Sequence, residues 1–112
     1  MIDEKKVQRA VEEFIENPYW KKMLDTAPTE VSRRYTELDF YYSEGFGNMS
    51  AEERKEVVAE QDALTKKFGL EDWKHACRYA GNNPFRGKCI REIGKRGGGD
   101  WLEEHFGMRF GY

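Results

Sequence analysis

Cysteine is scarce in this chain. Cys77 and Cys89 are the only two among 112 residues, too few for the disulfide framework that staples small secreted domains. Both are expected to be buried, reduced thiols. Proline occurs three times, at Pro18, Pro28 and Pro84, each where a helical pattern starts or breaks. Strand-type alternation never persists beyond a few residues, which argues against a sheet. No stretch approaches the roughly 20 apolar residues needed to span a bilayer, and Met1 to Lys6 has no apolar leader core. The expectation is a cytoplasmic protein with no membrane partner. Catalytic spacing is missing as well. No nucleophile, base and orienting group stand in a recognisable order, and the carboxylates follow the polar faces of ordinary solvated helices. A non-enzymatic protein without cofactor is expected, and a small enzyme with an unrecognised site is the third-ranked reading.

What is present reads as helix almost throughout. Val7, Ala10, Val11, Phe14 and Ile15 share one face of a helix over about residues 3–16. Asn17 and Pro18 are the cap and first residue of a short second helix carrying Tyr19, Trp20, Met23 and Leu24. After Pro28 comes a third, with Val31, Tyr35, Leu38 and Tyr42 on one side and Phe40 on the other, expected to lie at the centre of the bundle. Ser50 with Glu53 signals a capping box for a fourth helix, whose stripe Val57, Gln61, Leu64 and Phe68 stops at Gly69. The fifth helix, about residues 71–80, sets Trp73, Ala76, Cys77 and Ala80 on one side. Asn83 and Pro84 cap the sixth, which runs to about Arg96 with Phe85, Cys89, Ile90 and Ile93 apolar. Gly97, Gly98 and Gly99 end it as a flexible joint, followed by a last short turn from Trp101 to Phe106. The fold class is therefore all-α: a compact single-domain bundle of five to six short helices over residues 1–96, then a glycine hinge and aromatic C-terminal arm over residues 97–112.

Charge is segregated along the sequence. The chain carries a net −2, yet residues 73–99 hold seven Lys/Arg against the single acid Glu92, a net of +6 that leaves −8 for the rest. Helical spacing gathers Lys88, Arg91 and Lys95 within about 60° on the sixth helix, and Lys74 and Arg78 are i, i+4 neighbours on the fifth. Such a face fits an acidic protein surface, or the phosphates of a nucleic acid. The loop from Gly81 to Pro84 does not follow a helix-turn-helix pattern. The run Gly94 to Gly99 follows a helix and lacks the spacing of a phosphate loop. Gly87 and Gly94, costly inside a helix, suggest a close neighbour to the backbone there.

Zinc is the tempting alternative, because His75, Cys77, Cys89 and His105 all fall in the last third of the chain. Helical geometry points His75 and Cys77 about 160° to 200° apart, so no metal is expected. His75 is expected exposed beside Lys74 and Arg78. The arm, with Trp101, Leu102, His105, Phe106, Met108, Phe110 and Tyr112, must be covered, either by its own bundle or by a partner or second copy in a homodimer. Tyr35, Tyr41, Tyr42 and Phe46 read as core or rim packing. The leading expectation is a small interaction protein that binds an acidic protein partner through the cationic face Lys74, Arg78, Lys88, Arg91 and Lys95, or through the arm residues Trp101, Leu102 and Phe106. Nucleic-acid binding by the same basic segment is the alternative.

Overall fold

Asp3 starts the first helix: its carboxylate accepts from the Lys5 and Lys6 amides at 3.0 and 3.4 Å, satisfying donors that have no partner within the helix. The computed structural model describes residues 1–81 and 84–107. Two compact units divide the chain, Met1–Lys67 and Phe68–Tyr112. Among the described residues there are seven α-helices, one 3₁₀ turn and no strand. The all-α class holds. The expected count of five or six does not, because the turn from Trp101 to Phe106 is a seventh full helix. Among the described residues, no helix is long and apolar enough to cross a membrane. The expected Asn83 cap, the Asn82–Asn83 part of the loop before Pro84, and Met108, Phe110 and Tyr112 lie outside the described residues.

The first unit holds α1 (Glu4–Phe14), α2 (Pro18–Asp25), α3 (Glu30–Gly45), the 3₁₀ turn Phe46–Asn48 and α4 (Ala51–Thr65). Asn17 caps α2 through the Tyr19 amide at 2.9 Å, and Ser50 caps α4 through the Glu53 amide at 3.1 Å. At α3 the cap is Thr29, which exchanges bonds with Ser32 in a capping box. Helix α3 touches α1, α2 and α4, and buries Leu38 and Phe40 almost completely on different faces. It is the central helix of this unit. The Phe40 ring stacks on Phe14 at 4.7 Å, and Trp20 stands edge-on to both, contacts worth about 0.5–1.5 kcal/mol each beyond simple burial.

Helix directions follow from the polar pairs. Arg34 donates to Glu4, 30 residues earlier, and the carboxyl of Glu13 meets that of Glu44, so the offset is nearly constant and α1 runs parallel to α3. The other partner runs the opposite way. Arg34 Nε donates to Glu60 at 2.7 Å, while Tyr41, further along α3, lies beside Glu53, earlier on α4. Arg34 thus clamps α1 and α4 to α3 with three short bonds of 2.7 Å.

The second unit holds α5 (Leu70–Tyr79), α6 (Pro84–Lys95) and α7 (Gly99–Phe106). Asp72 accepts from the Gly69 amide at 2.9 Å and steadies the start of α5. The glycines after α6 form a defined cap. Gly97 sits at φ +79°, its N–H donates to the Gly94 carbonyl at 3.2 Å, and the Gly98 N–H donates to the Ile93 carbonyl at 2.9 Å. This is the Schellman pattern, which closes one helix and aims the next. Gly98 is buried, and a Cβ there would overlap the Ile93 Cγ2 methyl while standing 2.9 Å from Leu70 Cδ1 and 3.0 Å from the Ile93 carbonyl oxygen. Among the described residues, a Cβ at Gly87 would meet only Arg91 Nη1, at 3.6 Å, and the close backbone neighbour expected there is not seen.

The glycines therefore separate by substitution. Gly98→Ala should cost about 2–3 kcal/mol by overpacking, and Gly97→Ala about 1 kcal/mol through its left-handed dihedral. Gly87→Ala should gain up to about 1 kcal/mol, and Gly99→Ala should be near neutral, all read by urea denaturation. For the clamp, Arg34→Ala should cost about 1–2 kcal/mol, the upper range for partly exposed pairs with added loss of stem packing. The bonds from Arg34 hold the Glu4 carboxyl below its ordinary range. A depressed folded pKa gives stability that is complete above the unfolded value, about 4.3, and is lost as pH falls through the folded one. The gap between wild type and Arg34→Ala should thus narrow between pH 7 and roughly pH 3.

Candidate functional site

The exposed cations of the second unit stand on two of its helices. Lys88, Arg91 and Lys95 recur at three- and four-residue spacing, which on α6 places them along one face, and all three are exposed. Glu92, the one acid of this helix, bonds Arg96 and lies 3.8 Å from Lys95. Those cations, with the bond from Arg96 foremost, hold its carboxyl below the ordinary range. Lys88 also rests over the Trp73 ring at 5.9 Å, opposite in sequence to Arg96 at 5.8 Å. Trp73 is buried, and its indole N–H has no hydrogen-bond partner among the described residues.

Helix α5 supplies the other two expected cations in a different setting. Lys74 bonds Glu71 at 2.9 Å and keeps only 17% of its side chain exposed. Lys74 and Arg78 both lie over the ring of Trp101, at 5.9 and 5.4 Å. Lys74 is therefore a packing cation, while Arg78 remains exposed. Trp101 in turn stacks on His105 at 4.6 Å with planes 9° apart, as i, i+4 spacing on α7 allows. Phe106 stands edge-on to both rings and carries the Arg86 guanidinium 4.8 Å from its centroid.

Of the arm residues, Trp101 and Phe106 are half-buried and Leu102 is completely buried. Leu102 thus offers no surface. Its neighbours in sequence, Asp100, Glu103 and Glu104, are exposed, so α7 turns aromatics towards α5 and α6 and acids outward. His75 overturns an expectation: it is 3% exposed, with its ring 5.2 Å from Tyr79. The cause is that α5 buries Asp72, Trp73, His75, Ala76 and Cys77, covering more of its circumference than its apolar stripe alone.

Sequence reasoning missed Arg86, Arg96 and His105 as members of this assembly. The Trp101–His105 spacing was a usable signal for one. The two arginines find aromatic rings only through tertiary packing. Chemically, the arrangement offers multivalent positive charge beside half-exposed aromatic planes. Comparison with family models, with curated proteins and with solved structures finds no match for the chain.

Cys77 and Cys89 are free and buried. Burial pushes the Cys77 thiol up, and burial together with the neighbouring Cys77 pushes Cys89 up to about 12. At pH 8 such a thiol is a poor nucleophile. Alkylation of Cys89 by iodoacetamide should run on the order of a thousandfold slower in native buffer than in urea. Mass spectrometry checks this, and rapid native labelling would contradict it.

Proposed function

We propose that this protein is a non-enzymatic interaction module that docks an acidic protein surface through its second unit. The observation that carries the reading is the exposed row Lys88, Arg91 and Lys95 on one face of α6, where the one acid of the helix is already engaged. Arg78 extends the positive surface from α5. Trp101 and Phe106 provide half-exposed rings at its edge as anchors, and Lys74 acts by holding Trp101. Charge would steer the encounter and the rings would supply residence time. The setting is the cytoplasm, where both cysteines stay reduced.

One observation favours a second reading. The parallel Trp101–His105 stack beside Arg78 resembles the aromatic and cationic platforms on which single-stranded nucleic acids lie. Self-association through α7 is the further use of the same rings.

A titration separates these uses. A poly-L-glutamate of about twenty residues and a random single-stranded DNA of equal length are added at roughly 50 and 200 mM salt, with the assembly state followed by sedimentation. The expected result is a monomer that binds the acidic peptide more tightly than the DNA, with a loss of about tenfold, about 1.4 kcal/mol, in Lys88→Ala/Arg91→Ala/Lys95→Ala. Tighter DNA binding with a steep salt dependence transfers the function to the second reading. Absence of both at low salt overturns the cationic face altogether.

A further inference from the structure

Large apolar side chains left open to water are few, and two of them share one groove. Among the described residues they are Met1, Tyr19, Phe46 and Val58. Phe46 and Val58, 47% and 42% exposed, line a groove of about 470 Å³ between the end of α3 and the outer side of α4. Tyr42 stands in its wall with its ring 5.4 Å from that of Phe46, and the Arg54 guanidinium lies 4.7 Å from the Phe46 centroid.

Helix α4 is apolar on two sides. Val57 points into the unit and is fully buried, while Ala51, Val58 and Ala59 are exposed on the groove side. Ala51, Lys55, Val58 and Asp62 follow at four-, three- and four-residue spacing, the stripe along which one helix packs on another. Ala51 and Ala59 are small, so a second helix can approach closely beside Val58.

The walls also decide what kind of backbone fits. Both are helices whose backbone groups bond within themselves, so an extended segment laid here would leave its own N–H and C=O groups unpaired over an apolar floor. A helix brings its bonds with it. From Ala51 to Asp62 the groove rises about 16 Å, or about three turns of an occupant. Its volume takes about two or three leucine-sized side chains. A second copy of α4 fills it poorly, because its outward stripe offers one large apolar side chain, Val58.

Charge sets the composition of the occupant. Arg54 and Lys55 stand towards the start of α4 and Asp62 two turns further on. Among the described residues, none of the three forms an ion pair.

We propose that this groove docks an amphipathic helix of another protein, about three turns long, whose apolar stripe packs on Phe46, Val58 and Tyr42. A carboxylate at one end of that stripe faces Arg54 and Lys55, and a basic side chain at the other faces Asp62. A helix of one sign meets a like charge at one end. The site lies in the first unit and does not rest on the cationic row of α6, so the chain can hold two partners at once.

The experiment follows the full chain by NMR, reading the amides of residues 42–46 and 51–62, which separates this groove from the cations of the second unit. The probe is a blocked, alanine-rich helical peptide of about sixteen residues. It carries a Glu, a Leu three and another four residues later, and a Lys seven residues after the Glu, which places all of them on one face. Controls carry Glu at both charged positions, Lys at both, or Ala in place of the leucines. Saturable shifts with a Kd below about 1 mM are expected for the mixed probe, with about threefold weaker binding of each single-sign control and about tenfold weaker binding of the alanine control. Val58→Asp should abolish the shifts with helicity unchanged, since Val58 is exposed. Asp62→Lys should transfer the preference to the double-Glu control, a gain that a damaged fold cannot produce. Failure of the mixed probe to saturate by about 10 mM, or binding that Val58→Asp leaves intact, overturns the docking site. Equal binding of mixed and single-sign probes overturns the charge pattern assigned to the partner. Pairing of the chain with itself that Val58→Asp abolishes makes the occupant a second copy and overturns the foreign helix.

Discussion

The way the backbone leaves α6 controls everything of interest in the second unit. Gly97 takes a dihedral that other residues adopt at a cost, and Gly98 passes too close to Ile93 and Leu70 for any side chain. Together they turn the chain so that α7 lies with Trp101 under Lys74 and Arg78 and Phe106 beside Arg86. Were α7 aimed elsewhere, two aromatic rings would stand in water and two cations would lose their support. The row on α6 would remain, but without anchors beside it. Glycine at these positions gives direction, not looseness.

Positive charge in this unit is used in two ways that formal counting does not separate. Lys74, Arg86 and Arg96 lie against rings or acids, where they fix the placement of other groups. Lys88, Arg91 and Lys95 stay exposed at the surface, although Lys88 also rests over Trp73 and Lys95 lies 3.8 Å from Glu92. Arginine and lysine over aromatic faces gain on the order of 0.5–1 kcal/mol at exposed sites, enough to orient a side chain and too little to consume its charge. The face can thus be both part of the packing and available to a partner.

Much of the architecture could be read from spacing. Asn17 with Pro18 and Ser50 with Glu53 marked helix starts correctly because capping is local chemistry: each donor is satisfied by a side chain two or three residues away. Gly69 was misread as the end of α4, which stops at Thr65; it stands at the cap of α5 instead. The central position of α3 was legible from Phe40 lying opposite the Leu38 side. His75 was misread because α5 buries five of its ten residues, Asp72 and His75 among them, so its enclosed face is wider than its apolar stripe. The glycine run was misread for a related reason. Composition reports conformational freedom, whereas Ile93 and Leu70, which remove it, are brought to Gly98 by folding. Glu13 meets Glu44 only because α1 and α3 are parallel, and pairing direction is not encoded in either helix alone.

That parallel arrangement also bears on how the first unit assembles. An antiparallel pair such as α3 and α4 can close from its connecting turn outward, each new contact shortening the loop that the next must close. A parallel pair has no such starting point. The contacts between α1 and α3 span long stretches of chain, 30 residues for Glu4 and Arg34, so the loop-closure entropy is met almost whole by the first of them. The hairpin of α3 and α4 can therefore form early, with α1 arriving afterwards onto a surface already made.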